Sequence, residues 1–185
     1  MDDTTAREAV VDAADRLFYA RGIQAVGMDE IRTAAGISLK RMYSLFPSKE
    51  TILAEVLRRR NEVWTTGIRH AAENEPTPEA KMLSIFDFLS EWFAQDDFRG
   101  CAFINSFGEL GASAPLVADA ARAHKVGFQN YVAGLAAEAG APPTLAPQIA
   151  LLAEGAQTTA AIAGSADAAT DAKAAAATLI AAARR

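Results

Sequence analysis

Six side chains between residues 38 and 49 have the types and spacing to hold a phosphate backbone and read base edges: Ser38, Leu39, Lys40, Arg41, Tyr43 and Lys49. An arginine meets guanine through two parallel N–H donors, worth about 1–3 kcal/mol of discrimination, and a lysine offers phosphate a point charge. Ser38 and Tyr43 bring hydroxyls, and Leu39 an apolar contact. Lys49 opens a helix whose first backbone N–H groups also face outward, so it is expected to clamp phosphate. Catalytic chemistry finds less to use. Two histidines (His70, His124) and one cysteine (Cys101) are scattered, with no metal-spaced cluster, nucleophile elbow, phosphate loop or dinucleotide fingerprint. No enzyme, metal or cofactor is expected.

The stretch that must position these groups is MDEIRTAAGISLKRMYSLF, residues 28–46. Met28, Ile31, Ala34 and Ala35 recur at three- and four-residue spacing and share one face of a two-turn helix. Gly36 follows where that helix must stop, Ile37 is an apolar plug in the turn, and Ser38 can cap a second helix. The second helix is expected to turn Met42, Tyr43 and Phe46 inward and Leu39, Lys40, Arg41 and Ser44 outward. Tyr43 can do both, its ring packing while its hydroxyl reaches phosphate. The pattern is that of a helix-turn-helix, whose second helix enters a DNA major groove. An ordinary helical hairpin in an all-α bundle would use the same glycine and periodicity.

The residues around this unit resemble the DNA-binding domain of the TetR (tetracycline-repressor) family of bacterial transcription regulators. The resemblance is carried by Ile31, the run Ala34-Ala35-Gly36-Ile37-Ser38, Tyr43, Phe46 and Ser48-Lys49-Glu50, with Leu17-Phe18 and Gly22 upstream. It covers roughly the first quarter of the chain; beyond it only Arg99–Asn105 is familiar. The chain departs from the family pattern at Gly27, where a threonine usually caps the second helix and touches phosphate. It departs also at Lys40, Arg41 and Leu45, on the groove-facing surface. The resemblance implies a regulator whose effector moves the fourth helix and changes the spacing of the heads. A repressor on a near-palindromic operator is expected, since two heads must meet successive major grooves. The lone cysteine fits a reducing cytoplasm.

Composition agrees with an all-α protein: 51% of residues are hydrophobic, prolines number only 7, and strand-like alternation is absent. The net charge of −5 hides an asymmetry. Residues 1–60 carry +1 and the remainder −6, and within 32–60 seven cations face two acids, Glu50 and Glu55. A positive field near the reading helix is what a phosphate surface requires. Cys101 cannot form an intrachain disulfide, and no signal peptide or membrane span is expected.

About nine helices are expected: a three-helix helix-turn-helix head over residues 1–47 and a ligand-binding and dimerisation body over 48–185. Thr4 or Thr5 is expected to cap the first helix. The long fourth helix carries two apolar lines, one with Ile52, Val56 and Val63, the other with Leu53, Leu57, Trp64 and Ile68. The last two helices, crowded with Ala, Gly and Thr (Gly155, Ala156 and Thr159; Ala175 and Ala176), offer a homodimer face. The aromatics of the body can be plain core or can line a cavity for a hydrophobic or aromatic effector. That lining would be Trp64, Phe86, Trp92, Phe93, Phe103, Phe107, Phe128 and Tyr131, with Asn105, Glu109, His124 and Gln157 as polar anchors. An effector-independent DNA-binding or protein-interaction module is the rival reading.

Overall fold

The computed structural model describes residues 2–165 and 167–183, and these form nine α-helices and no strand. In order they are α1 (Asp3–Arg21), α2 (Met28–Ala35), α3 (Leu39–Leu45), α4 (Lys49–Ala72), α5 (Pro78–Phe93), α6 (Ala102–Leu110), α7 (Pro115–Glu138), α8 (Leu145–Ala163) and α9 (Asp167–Ala183). They divide into two compact units. One is Met1–Glu62 with Ala102–Arg122; the other is Val63–Cys101 with Ala123–Arg185. This division does not coincide with a cut after residue 47, because the head shares its unit with the first half of α4 and with α6.

In the first unit, local chemistry sets each helix end. Asp2, not Thr4 or Thr5, caps α1, its carboxylate accepting from the Thr5 N–H at 2.8 Å. A carboxylate suits this position because it also complements the helix dipole. Gly27 precedes α2 with no side-chain cap, the consequence of lacking a hydroxyl there. Gly36 ends α2 in the left-handed conformation at φ 68°, and the Ile37 N–H returns to the Arg32 carbonyl at 3.1 Å. Ser38 caps α3 by accepting from the Arg41 N–H at 3.2 Å. Ser48 and Thr51 then cap α4 reciprocally, each hydroxyl accepting from the other's backbone N–H at 3.3 Å.

The apolar stripes of α1 (Ala6, Val10, Ala14, Phe18) and α4 (Ile52, Leu53, Val56, Leu57) are buried, with Ile31, Met42 and Phe46 of the head. Two expectations fail. Tyr43 is 48% exposed, because on so short a helix Met42 and Phe46, four apart, take the inward line and leave Tyr43 beside it. Val63 is 62% exposed, off both apolar lines of α4.

The second unit is built around α5. Thr77 caps it and Pro78 occupies its first turn, where the missing N–H costs nothing. Met82, Ile85, Phe86 and Leu89 are fully buried in a core shared with Ile149, Ala150 and Ala153 of α8 and Ala172 and Ala176 of α9. Small side chains let these helices approach closely. Ala156 and Ala176 are therefore buried in their own protomer, not presented outward as a dimer face. The outward line of α8 runs instead through Leu151, Gly155, Thr158, Thr159 and Ile162. Ion pairs Lys173–Asp87 at 2.5 Å and Lys125–Glu154 at 3.1 Å tie α9 to α5 and α7 to α8.

Candidate nucleic-acid interface and the aromatic body

Helix α3 presents Leu39, Lys40 and Tyr43 to solvent, while Met42 beneath them is fully buried. Lys40 makes no ion pair among the described residues. The Arg41 guanidinium is half-exposed and pairs with Asp3 at 2.8 Å. The far end of α3 is held from α1: Arg7 donates to the Leu45 carbonyl at 2.6 Å, and its guanidinium lies 4.2 Å from the centre of the Phe46 ring. A cation there satisfies an orphan carbonyl and opposes the negative end of the helix dipole. Sequence reasoning missed Arg7, since nothing in its local spacing points across 38 residues.

The seven cations of 32–60 are mostly matched by acids. Arg32 pairs with Asp29, Arg41 with Asp3, Arg58 with Glu55 and Glu62, Arg59 with Asp12, and Arg60 with Asp15. The positive field read from the sequence is thus locally offset by acids of α1, α2 and α4, and Lys40 stands out as its exposed remainder. Lys49 is not fully outward. It is half-buried with Nζ 5.8 Å from the Phe18 ring centre; burial lowers its pKa, against which the Glu109 charge raises it.

The twelve residues expected around an effector divide between the two units. Phe103, Asn105, Phe107 and Glu109 belong to the first, where Phe103 is buried and Phe107 is 51% exposed. Glu109 grips the turn between α1 and α2, its carboxylate accepting from the N–H groups of Ile23 and Gln24, each at 3.1 Å. Asn105 and Glu109 border a cavity of about 30 Å³ with Asp15, Tyr19 and Ser106. That is room for a water molecule or so, against the roughly 300 Å³ or more of a drug-sized ligand's pocket.

The other eight are in the second unit. Trp64 is the centre, with Phe88, Trp92, His124 and Phe128 edge-on to it at 5.6, 5.9, 5.7 and 5.4 Å between ring centres. Phe86 is core, and Phe93 packs on Phe98 at 4.8 Å. His124 is buried, and desolvation, aided by the Lys125 charge, pulls its pKa down to about 4; it is a neutral imidazole at pH 7. Tyr131 is half-buried, and desolvation raises its phenol pKa. Three polar atoms in this unit are buried without a partner: Trp64 Nε1, a donor, and Glu154 Oε1 and Gln157 Oε1, acceptors. Gln157 uses its Nε2 on the Ala153 carbonyl at 3.2 Å. Such orphans are uncommon in native interiors and call for an explanation.

Residues 10–56 match the profile of the bacterial regulatory proteins of the tetR family. The HTH-type transcriptional activator FasR of Mycolicibacterium smegmatis is 34% identical over 87 residues, a stretch that spans 45% of this chain and only 40% of that protein. A putative TetR transcriptional regulator from Streptomyces avermitilis superposes with a TM-score of 0.83 at 28% identity, covering 97% of this chain and 98% of the other. A TetR-family regulator from Streptomyces coelicolor superposes with a TM-score of 0.91 at 22% identity, covering 98% and 97%.

Proposed function

This chain is a TetR-family protein with the family's DNA-binding head, and on that premise we propose that it is a homodimeric repressor released from a palindromic operator by a small apolar or aromatic effector. The observation that carries the reading is the exposed face of α3 on its capped glycine turn, where Lys40 stands between Leu39 and Tyr43 over a buried Met42. In the proposed complex Ser38, Leu39, Lys40, Arg41 and Tyr43 meet the groove and its phosphates, and Lys49 flanks them. Two heads reach successive major grooves about 34–36 Å apart, or a multiple of that, so the operator has two-fold symmetry. Dimerisation through α8 and α9 is supported by the outward apolar groups Leu151 and Ile162, respectively 70% and 82% exposed. The protein works in the cytoplasm, where the chromosome is, and its role is regulatory, not catalytic.

For the effector, support comes from the Trp64 cluster, whose buried indole N–H has no partner and suits a flat apolar ligand carrying an acceptor. Activation is the second reading, favoured by the name of the M. smegmatis relative. The test selects duplexes from a random library with the full-length protein, then places the selected site upstream of a reporter. Two-fold symmetric sequences with transcription rising on deletion of the protein fit the proposal. Transcription falling on deletion would replace repression with activation, and no enrichment of any sequence would overturn the DNA-reading role.

A further inference from the structure

Glu109 was expected as an anchor for a ligand, and the structure gives it a different set of partners. Its two carboxylate oxygens are divided between two backbone donors, Oε1 to Ile23 and Oε2 to Gln24. The grip is returned, because Gln24 Nε2 donates to the Glu109 carbonyl oxygen at 3.0 Å. Gly22 is shaped for this contact. It sits at φ 86°, and a Cβ there would meet both carboxylate oxygens at 3.1 and 3.2 Å. Successive N–H groups converging after such a residue form a small anion-binding concavity, and here the anion is supplied by α6. Lys49, half-buried, stands in the field of the same carboxylate. Residues 23 and 24 precede the helix-turn-helix, so one side chain of α6 grips the chain where it enters the reading unit.

We propose that Glu109 is a positioning residue for DNA recognition: it fixes the start of the helix-turn-helix against α6 by holding the turn that leads into it. The inference rests on the DNA-reading role proposed above. It excludes Glu109 from the effector's ligands and makes its contacts the ones that a movement of α6 must carry or break.

Glu109→Gln keeps the size but replaces one acceptor with an N–H₂ that faces a backbone donor, and it removes the charge near Lys49. The probes are amide hydrogen exchange on the full-length protein and binding to the duplex selected by the wild type. Exchange at Ile23 and Gln24 is expected to rise on the order of tenfold or more, the scale of a lost charge-assisted hydrogen bond. Affinity for the selected duplex should fall by a similar factor, with the salt slope unchanged because no phosphate contact is lost. A purely electrostatic role predicts the opposite sign, since removing a negative charge tightens DNA binding. Combining Glu109→Gln with Lys49→Gln should cost less than the two separate losses together. Should Glu109→Gln fail to fold by circular dichroism, Gln24→Ala, an exposed site, removes only the returned hydrogen bond and should raise the same exchange severalfold. Unchanged exchange at residues 23 and 24 overturns the proposal, as does wild-type or tighter affinity in a folded Glu109→Gln protein. If the wild type selects no duplex, the DNA-reading role fails while the exchange result still decides the latch.

Discussion

The substitution Gly67→Ala puts a methyl group where the structure has an aromatic ring. A Cβ at residue 67 would lie 2.4 and 2.7 Å from the tip of the Phe88 ring, about 1 Å inside ordinary van der Waals contact. Glycine in mid-α4 thus serves close approach. Phe88 cannot simply withdraw, since it stacks on Trp92 at 6.4 Å and meets the Trp64 ring edge-on at 5.6 Å. Overpacking of this kind costs about 1–3 kcal/mol, and glycine-to-alanine in a helix returns about 1 kcal/mol. The expected net is a destabilisation of up to about 2 kcal/mol, or a Tm lower by roughly 4–8 °C in a chain of this length. The protein's 2 tryptophans are Trp64 and Trp92, both in this cluster, so tryptophan emission reports on it alone. A shifted emission maximum should accompany the lower Tm, and Phe88→Leu on the same chain should restore both. A more stable Gly67→Ala protein with unaltered emission would refute the packing argument.

Lys40→Ala should weaken every duplex alike and lower the salt slope by about one unit, as filter binding or anisotropy across ionic strengths would read. His124 makes stability rise with pH: its folded pKa of about 4 lies below the ordinary 6.5, so the neutral form favoured by folding is fully present above pH 6.5. As pH falls from about 6.5 to 4 the protein should lose on the order of 3 kcal/mol, and a chemical-denaturation series with His124→Phe should flatten that slope. Ile162→Arg should split the dimer in sedimentation with the melting of the protomer intact. Ala176→Glu should instead lower the melt itself, because that Cβ is fully buried and would carry an unpaired charge inside.

The head was legible because its signals are local. Gly36 must take a left-handed backbone, Ser38 must cap, and Met42 and Phe46 lie one helical turn apart; each is set within a few residues. What spacing could not show is pairing across the chain. Asp3, Asp12 and Asp15 of α1 answer Arg41, Arg59 and Arg60, and no sequence period joins them. The same holds for Glu109 and the turn 85 or so residues before it. The phase of α8 and α9 was illegible for another reason. A helix of alanines has little polarity contrast between faces, so Ala156 and Ala176 gave no sign that they turn inward.

The Arg41–Asp3 contact has a consequence for search. On the proposed reading, the arginine that would meet guanine is already occupied in the free protein. A half-exposed pair of this kind is worth no more than about 1 kcal/mol, or roughly a factor of five. Every encounter with DNA must first give that up, whatever its sequence. At the right base the arginine regains two strong hydrogen bonds; at a wrong one it regains little. The toll is therefore levied on the roughly million or more competing sites of a genome and refunded at the operator. An acid on the first helix thus acts as an internal decoy for the reading arginine, shortening residence on random sequence without touching the DNA.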